Sequence, residues 1–329
     1  MEYKHDFGFG DTRGIREIML KHAPFLSLGL MPWENFGYPA HDGNPLLKAE
    51  ISKLIKNLTG KSYTYVLVTV GAMHAINAAI AAIRTPKTKF LYTNKLYFGR
   101  YPGLAVNSGL IHIKTDKMGP MNGDIGIIDS PSNPEGILSS HGNGDNIIWD
   151  AAYYSPTYCG IGNRDNLKCY PVIPKHVVMA GSLNKLTGVN GLRIGWLATN
   201  DQNIYEKALG YVTSNVLGIS QPSQWAALQI LTKVNMSAFY AESKALVDSN
   251  KTELQRLDYL FGYQPIPRCG MFALFEVDEK LRKLLEKASV LTMPGSQCGD
   301  DRDSVRFNLG NSNKDTKAMV DAILKADGK

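Results

Sequence analysis

Between Thr64 and Asn200 the chain repeats one pattern: a short apolar run the length of a single strand, a small or polar breaker, then a stretch suited to a helix. The first unit is the clearest. TYVLVTV is rich in β-branched residues, Gly71 interrupts it, and the Ala-rich segment GAMHAINAAIAAI that follows favours a helix. Further runs at KFLYT, GLIHIK, DIGIIDSP, NIIWD, HVVMAGS and LRIGWLATN are each short enough for one strand and end in polar residues, Gly or Pro. Strands that alternate with helices build a parallel sheet, so the pattern predicts an α/β large domain with a mostly parallel sheet.

Upstream, residues 1–45 are rich in Gly, Pro and aromatic side chains, have weak periodicity, and read as an irregular arm ending in the turn-like GYPAHDGNP. A helix is predicted next, because Leu47, Ile51, Leu54, Ile55 and Leu58 recur at three- and four-residue intervals and Gly60 is placed to end it. After about Asp201 the character changes to long helical stretches, notably Ser237 to Leu260, followed by the strand-like GMFALFEV and SVRFNLG. At 329 residues the chain exceeds the roughly 250–300 at which single cores stop growing. A smaller α+β domain beside the large one is the simplest account. The division expected is 1–45 as an arm and part of the small domain, 46–235 as the large domain, and 236–329 as the C-terminal small domain.

Charge narrows the function classes. The 36 basic and 30 acidic residues leave a net +6 spread along the chain without a basic run, which favours a mildly basic enzyme over a nucleic-acid binder. The four cysteines show no CxxC pair and no His partners at zinc-like spacing, so no metal or disulfide framework is signalled. No apolar stretch is long enough to span a membrane, and MEYKHDFGFGD lacks the apolar core of a signal peptide. A soluble, cytoplasmic protein with neither membrane nor nucleic-acid partner is expected.

The chemistry concentrates in GSLNKLTGVNGLRIGW, residues 181–196, where Lys185 follows a strand in a loop bounded by small residues and Arg193 stands eight positions on. A sequestered loop lysine becomes a carbonyl-reactive amine when desolvation or nearby positive charge disfavours its ammonium form; an isolated one is more often an ordinary surface residue. Asp150 ends the strand of IIWDAAYY, where a turn or cap residue would also fit, and Tyr153 follows three residues later. Gly71, Ala72 and Met73 open a helix whose first backbone N–H groups form a natural anion site, although a tight turn explains the glycine equally well.

Taken in order, these segments resemble the class I/II aminotransferases and their fold-type I relatives, which use pyridoxal 5′-phosphate (PLP), from about Leu28 to Gly310. Ser182, Lys185, Gly188, Gly191, Arg193 and Gly195 fall in register with the family's S-x-S-K-x-x-G-x-x-G-x-R-x-G signature; Asn184 departs from its usual second serine. The resemblance implies that Lys185 holds the cofactor as a Schiff base. It implies that Ser182, Arg193 and the amides of Gly71, Ala72 and Met73 hold the phosphate, that Asp150 pairs with the pyridine nitrogen, and that Tyr153 and Asn133 of PSNPEG reach the ring's phenolate oxygen. Tyr97 stands where relatives carry the aromatic residue that stacks on the ring, with Phe98 and Tyr101 close by and the usual preceding proline missing. SVRFNLG matches the strand carrying the substrate arginine, Arg306, and SLGLMP the stretch that lines the substrate pocket with Gly29; Asn133 also borders that pocket. Tyr38 matches the tyrosine that reaches the partner's phosphate in a homodimer. Only 17 residues separate Asn133 from Asp150, which suggests a shortened connection.

The leading function implied is an aminotransferase acting on an amino acid and a 2-oxo acid, both small molecules. The alternative is a PLP-dependent decarboxylase or lyase of the same fold, similar to the amino-acid-phosphate decarboxylases, because the scaffold does not fix the reaction. A non-catalytic scaffold protein would be expected to have lost some of Lys185, Asp150, Tyr153 and Arg193.

Overall fold

A computed structural model describes residues 4–8, 12–24, 37–116, 122–139, 146–159, 177–262, 264–266 and 269–329. Along the chain these form β1 (His5–Asp6), α1 (Arg13–His22), α2 (Pro45–Thr59), β2 (Tyr65–Thr69), α3 (Gly71–Ile83), β3 (Phe90–Asn94), α4 (Tyr101–Asn107), β4 (Ile111–Thr115), β5 (Ile125–Asp129), β6 (Ile147–Asp150) and β7 (Val178–Ser182). There follow α5 (Leu183–Thr187), β8 (Gly195–Thr199), α6 (Gln202–Val216), α7 (Gln221–Lys233), α8 (Met236–Gln255), β9 (Phe272–Glu276), α9 (Glu279–Lys287), β10 (Val290–Leu291), β11 (Met293–Pro294), β12 (Ser304–Asn308) and α10 (Asn313–Asp327).

Local chemistry sets the bounds of these elements. Asn44 caps α2 by accepting from the N–H groups of Leu46 at 2.9 Å and Leu47 at 3.2 Å, Pro45 fits the first turn, and Gly60 ends the helix at φ 67°. Seven strands then assemble in the order β2-β8-β7-β6-β5-β3-β4. All ladders are parallel except the two made by β8, which runs against both β2 and β7. The mostly parallel sheet is thus as the sequence pattern implied. Strands β5, β6, β7 and β8 are buried along their whole length, with Trp149 and Trp196 in the core. Gly181 makes room for one of these indoles: a Cβ there would lie 2.1 Å from the Trp196 ring.

A second core gathers around the antiparallel sheet β11-β12-β9, where Phe261 stacks on Phe275 at 4.1 Å and Phe307 closes the group edge-on. The N-terminal segment joins it. β1 pairs with β10, and Phe7, Ile15, Ile18 and Met19 pack into this cluster. Residues 13–22, read from sequence as part of an irregular arm, therefore form a helix, whose apolar positions at three- and four-residue spacing are hidden between Gly- and Pro-rich flanks. No helix among the described residues is long and apolar enough to cross a membrane.

Candidate active site

Strands β5, β6 and β7 and the N-terminus of α3 converge at one edge of the sheet, and a cavity opens there. Carboxyl ends of parallel strands are where open α/β sheets bind ligands, because the loops that leave them diverge. The walls include Ala72, Met73, Asn133, Asp150, Tyr153, Ser182, Lys185 and Arg193, all anticipated from sequence, together with Phe98, Tyr101, Asp129, Ala152 and Asn184.

One end of the cavity is built for an anion. Val70 precedes α3 without a side-chain cap, so the first amides of the helix, from Gly71 to Met73, have no capping acceptor. Gly71 adopts φ +76°, and a Cβ on it would sit 2.9 Å from Arg193 Nη2 and 3.2 Å from Asn184 Nδ2, so a glycine lets the guanidinium abut the helix terminus. Arg193 is itself left-handed at φ 54°, and its Nη1 donates to the Asn190 carbonyl at 3.2 Å. Its loop is pinned by the Leu183 N–H bond to the Ile194 carbonyl at 3.0 Å and by Asn184 Oδ1, which accepts from the Ile194 N–H at 3.1 Å. The residue that departs from the family signature thus braces the loop that carries Arg193. Ser182 is buried at the start of α5, and its hydroxyl caps no helix amide.

The other end is acidic. Asp150 Oδ2 accepts from the Tyr101 hydroxyl at 2.8 Å and Oδ1 from the Ala152 N–H at 2.9 Å. Burial raises the Asp150 carboxyl above its ordinary value, with these two bonds opposing the rise. Burial, and then the nearby Asp150 and Asp129 charges, likewise drive the Tyr101 phenol well up, so it stays a donor. Lys185 lies between the two ends, half-buried on α5, whose backbone is tied by the Tyr158 hydroxyl donating to the Lys185 carbonyl at 2.8 Å. Tyr153 packs edge-on against Phe272 at 5.3 Å and Tyr158 at 6.0 Å, and burial pushes its phenol up.

Asn133 joins the cavity to the sheet of the second core. Its Oδ1 accepts from Arg306 Nη1 at 2.6 Å, which fixes the amide so that Nδ2 turns the other way, and that buried Nδ2 has no partner. Arg306 is 2% exposed, held over the Phe272 ring at 3.8 Å and donating from Nη2 to the Gly8 carbonyl at 3.0 Å. It lies on β12, the middle strand of its three-stranded sheet, and burial lowers its pKa. Among the described residues no carboxylate pairs with it.

Of the anticipated residues that the structure describes, Gly71 and Arg306 stand behind the cavity wall, and Tyr97 and Tyr38 lie away from it. Tyr97 turns its ring onto His112 at 4.7 Å, and its N–H bonds the Cys298 carbonyl, so Phe98 rather than Tyr97 reaches the wall. Tyr38 is 88% exposed on the surface beside Ser220 and Pro222. Gly29 lies outside the described residues. Sequence reasoning missed Asp129 and Tyr158 and gave Tyr101 no role; the strand-ending aspartate of DIGIIDSP, alike in place to Asp150, was the available signal for the first.

The residues present fit PLP. They offer a cationic end of dianion size without a cap, an unpartnered amide donor, an amine, and a carboxylate at the far end for a ring nitrogen. Fold and site together define a fold-type I, PLP-dependent protein. The chain belongs to the allinase family, whose sequence profile matches residues 6–258. It is 25% identical to tryptophan aminotransferase-related protein 2 of Arabidopsis thaliana over 92% of this chain and 76% of that one. It is 31% identical to an alliin lyase of Allium cepa var. aggregatum, over 43% of this chain and 28% of that one. Against several rice, Arabidopsis and garlic relatives the chain spans about half of their length. In structure it is similar to Thermus thermophilus aspartate aminotransferase, with TM-score 0.78 and 17% identity over 98% of this chain and 92% of that one.

Proposed function

We propose that the protein is an aminotransferase that moves an amino group between an amino acid and a 2-oxo acid. The observation that carries this reading is Arg306: a buried guanidinium, without a carboxylate partner among the described residues, joined through Asn133 to the cavity wall. A planar guanidinium matches a carboxylate bidentately, so Arg306 would take the substrate α-carboxylate and Asn133 would hold the cofactor and Arg306 in one register. When bound, PLP supplies an aromatic ring that accepts the electron pair of the bond broken at Cα.

The chain's own groups then divide the work. Arg193, Ser182 and the α3 amides would hold the phosphate; Asp150, braced by Tyr101, would keep a proton on the ring nitrogen; Asn133 Nδ2 would donate to a ring oxygen. The Lys185 amine would hold the cofactor carbonyl and would serve as the base for the Cα proton. A carboxylate held by Arg306 is retained, which disfavours loss of CO₂ and leaves the C–H bond as the one to break. The relative whose name includes tryptophan aminotransferase supports this reading. A lyase that eliminates from Cβ is the second reading, supported by the alliin lyases among the relatives and by the family itself; it uses the same Cα deprotonation.

Single turnover with an amino acid and no oxo acid separates them. Transamination yields one equivalent of oxo acid and leaves the amino group on the cofactor, whereas ammonia, or CO₂, with the starting spectrum restored would refute it. Borohydride reduction and peptide mapping should find the pyridoxyl group on Lys185.

A further inference from the structure

The acidic end of the cavity holds one carboxylate more than the function above employs. Asp129 and Asp150 are register partners at the ends of the parallel strands β5 and β6, so their side chains leave the same face of the sheet from backbones about 4.8 Å apart. Both are buried, Asp129 at 3% exposure, both line the cavity, and among the described residues neither is ion-paired with a Lys, Arg or His. Two buried, adjacent carboxylates without a cation cannot both ionise cheaply. Their hydrogen bonds decide which keeps the charge. Asp150 accepts from two other residues, the Tyr101 hydroxyl and the Ala152 N–H, whereas among the described residues Asp129 accepts from one other, the Asn133 N–H at 2.8 Å.

We propose that Asp129 is a positioning residue of the cofactor site that works as a neutral carboxylic acid: it anchors the Asn133 backbone and carries the proton shared by the pair, leaving Asp150 the single negative charge offered to the ring nitrogen. The unpartnered Asn133 Nδ2, on the same residue that Asp129 holds, is the independent sign that a ligand completes this end of the cavity. Burial is the main cause that pushes Asp129 up to about 8, and Asp150 adds to it. Glu135 faces it from its own loop, Tyr101 from α4, Tyr153 from the loop after β6, and Cys298 from the turn before β12. The cations of the site are Lys185 on α5, Arg193 at the opposite end beside the α3 terminus, and Arg306 on β12, the last reaching Asp129 only through Asn133. At neutral pH the pair retains one proton, and cofactor binding adds the ring nitrogen's own, with none taken from Asp129.

The linkage has a definite sign. A carboxyl whose folded value lies above its unfolded one stabilises the fold relative to higher pH, and that contribution is lost as pH rises from its ordinary 3.8 toward about 8. The test uses the full chain freed of PLP, so it stays separate from the cofactor reading on which the proposal's role rests: failure to trap pyridoxyl on Lys185 sinks that reading, whereas the proton on Asp129 is read without cofactor. Infrared spectra at neutral pH should show a protonated-carboxyl carbonyl band in wild type that Asp129→Asn removes. Denaturant unfolding between about pH 5 and 7 should give wild type an unfolding constant that grows about tenfold per pH unit faster than that of Asp129→Asn. Asp129→Asn, which keeps an acceptor for the Asn133 N–H, should retain more PLP affinity than Asp129→Ala. Should Asp129→Asn not fold, Asp150→Asn provides the second arm: without the neighbouring charge the wild-type slope should end at lower pH. Absence of the carboxyl band in wild type, parallel slopes, or an unmoved end point in Asp150→Asn would overturn the proposal.

Discussion

Replacing Gly71 by alanine tests the anion end of the site with a single methyl group. At φ +76° an L-residue is strained by about 1–2 kcal/mol, a cost to folding that is the same with or without cofactor. The new Cβ would also stand 2.9 Å from Arg193 Nη2, and the guanidinium, the far end of a flexible side chain, is what must move. A charge-assisted hydrogen bond contributes about 1.5–3 kcal/mol, and because Arg193 is exposed before the cofactor arrives the lower figure applies, on the order of a tenfold loss of affinity. The assay is paired titration with PLP and with pyridoxal, which lacks the phosphate, followed by absorbance. PLP should bind about tenfold more weakly to Gly71→Ala, while pyridoxal binding stays close to that of wild type. Equal losses for both ligands would show that the glycine serves packing alone, and no loss for either would remove Arg193 from the phosphate site.

Other outcomes follow from the same geometry. Tyr101→Phe leaves Asp150 Oδ2 without its 2.8 Å donor, so denaturant unfolding of the cofactor-free chain should show a loss of about 1–3 kcal/mol at alkaline pH. That loss should shrink as pH falls through the raised Asp150 value and the carboxyl becomes neutral; a pH-independent loss would point to packing instead. Gly181→Ala drives a methyl into the Trp196 ring at 2.1 Å and should cost about 1–3 kcal/mol with a matching fall in Tm, whereas an unchanged Tm would mean the indole has room to yield. If Tyr38, 88% exposed on its own chain, serves a neighbouring phosphate site, sedimentation should find a homodimer and Tyr38→Phe should weaken PLP binding; a monomer that binds PLP as tightly would refute that role.

The large sheet and the Lys185 loop were legible in sequence because both depend on local pattern: strand-length apolar runs, a breaking glycine, and small residues around one lysine. What was not legible depends on neighbours far along the chain. Arg306 sits in a run whose pattern does not reveal its burial, and it is buried because β11 and β9 flank it and Phe272 covers it. Tyr97 and Phe98 are adjacent aromatics, and the choice between them is made by His112 and the Cys298 carbonyl, which hold Tyr97 away. Asp129 ends its strand as Asp150 does, but only the sheet order that sets β5 beside β6 turns two separate strand ends into a pair. Helix α1 escaped notice because ten residues between Gly- and Pro-rich flanks carry too few turns to stand out.

The second core is assembled from three pieces of chain: residues 5–23, Tyr158 and Cys159 from between β6 and β7, and residues beyond about 230. The chain thus reaches this core from three separate stretches, and any shift of the core against the seven-stranded sheet has to carry all three. Because Asn133 on the sheet side grips Arg306 on the other, such a shift would strain or break the 2.6 Å bond between them, so the guanidinium and the amide in the cavity wall are linked in any movement of one core against the other.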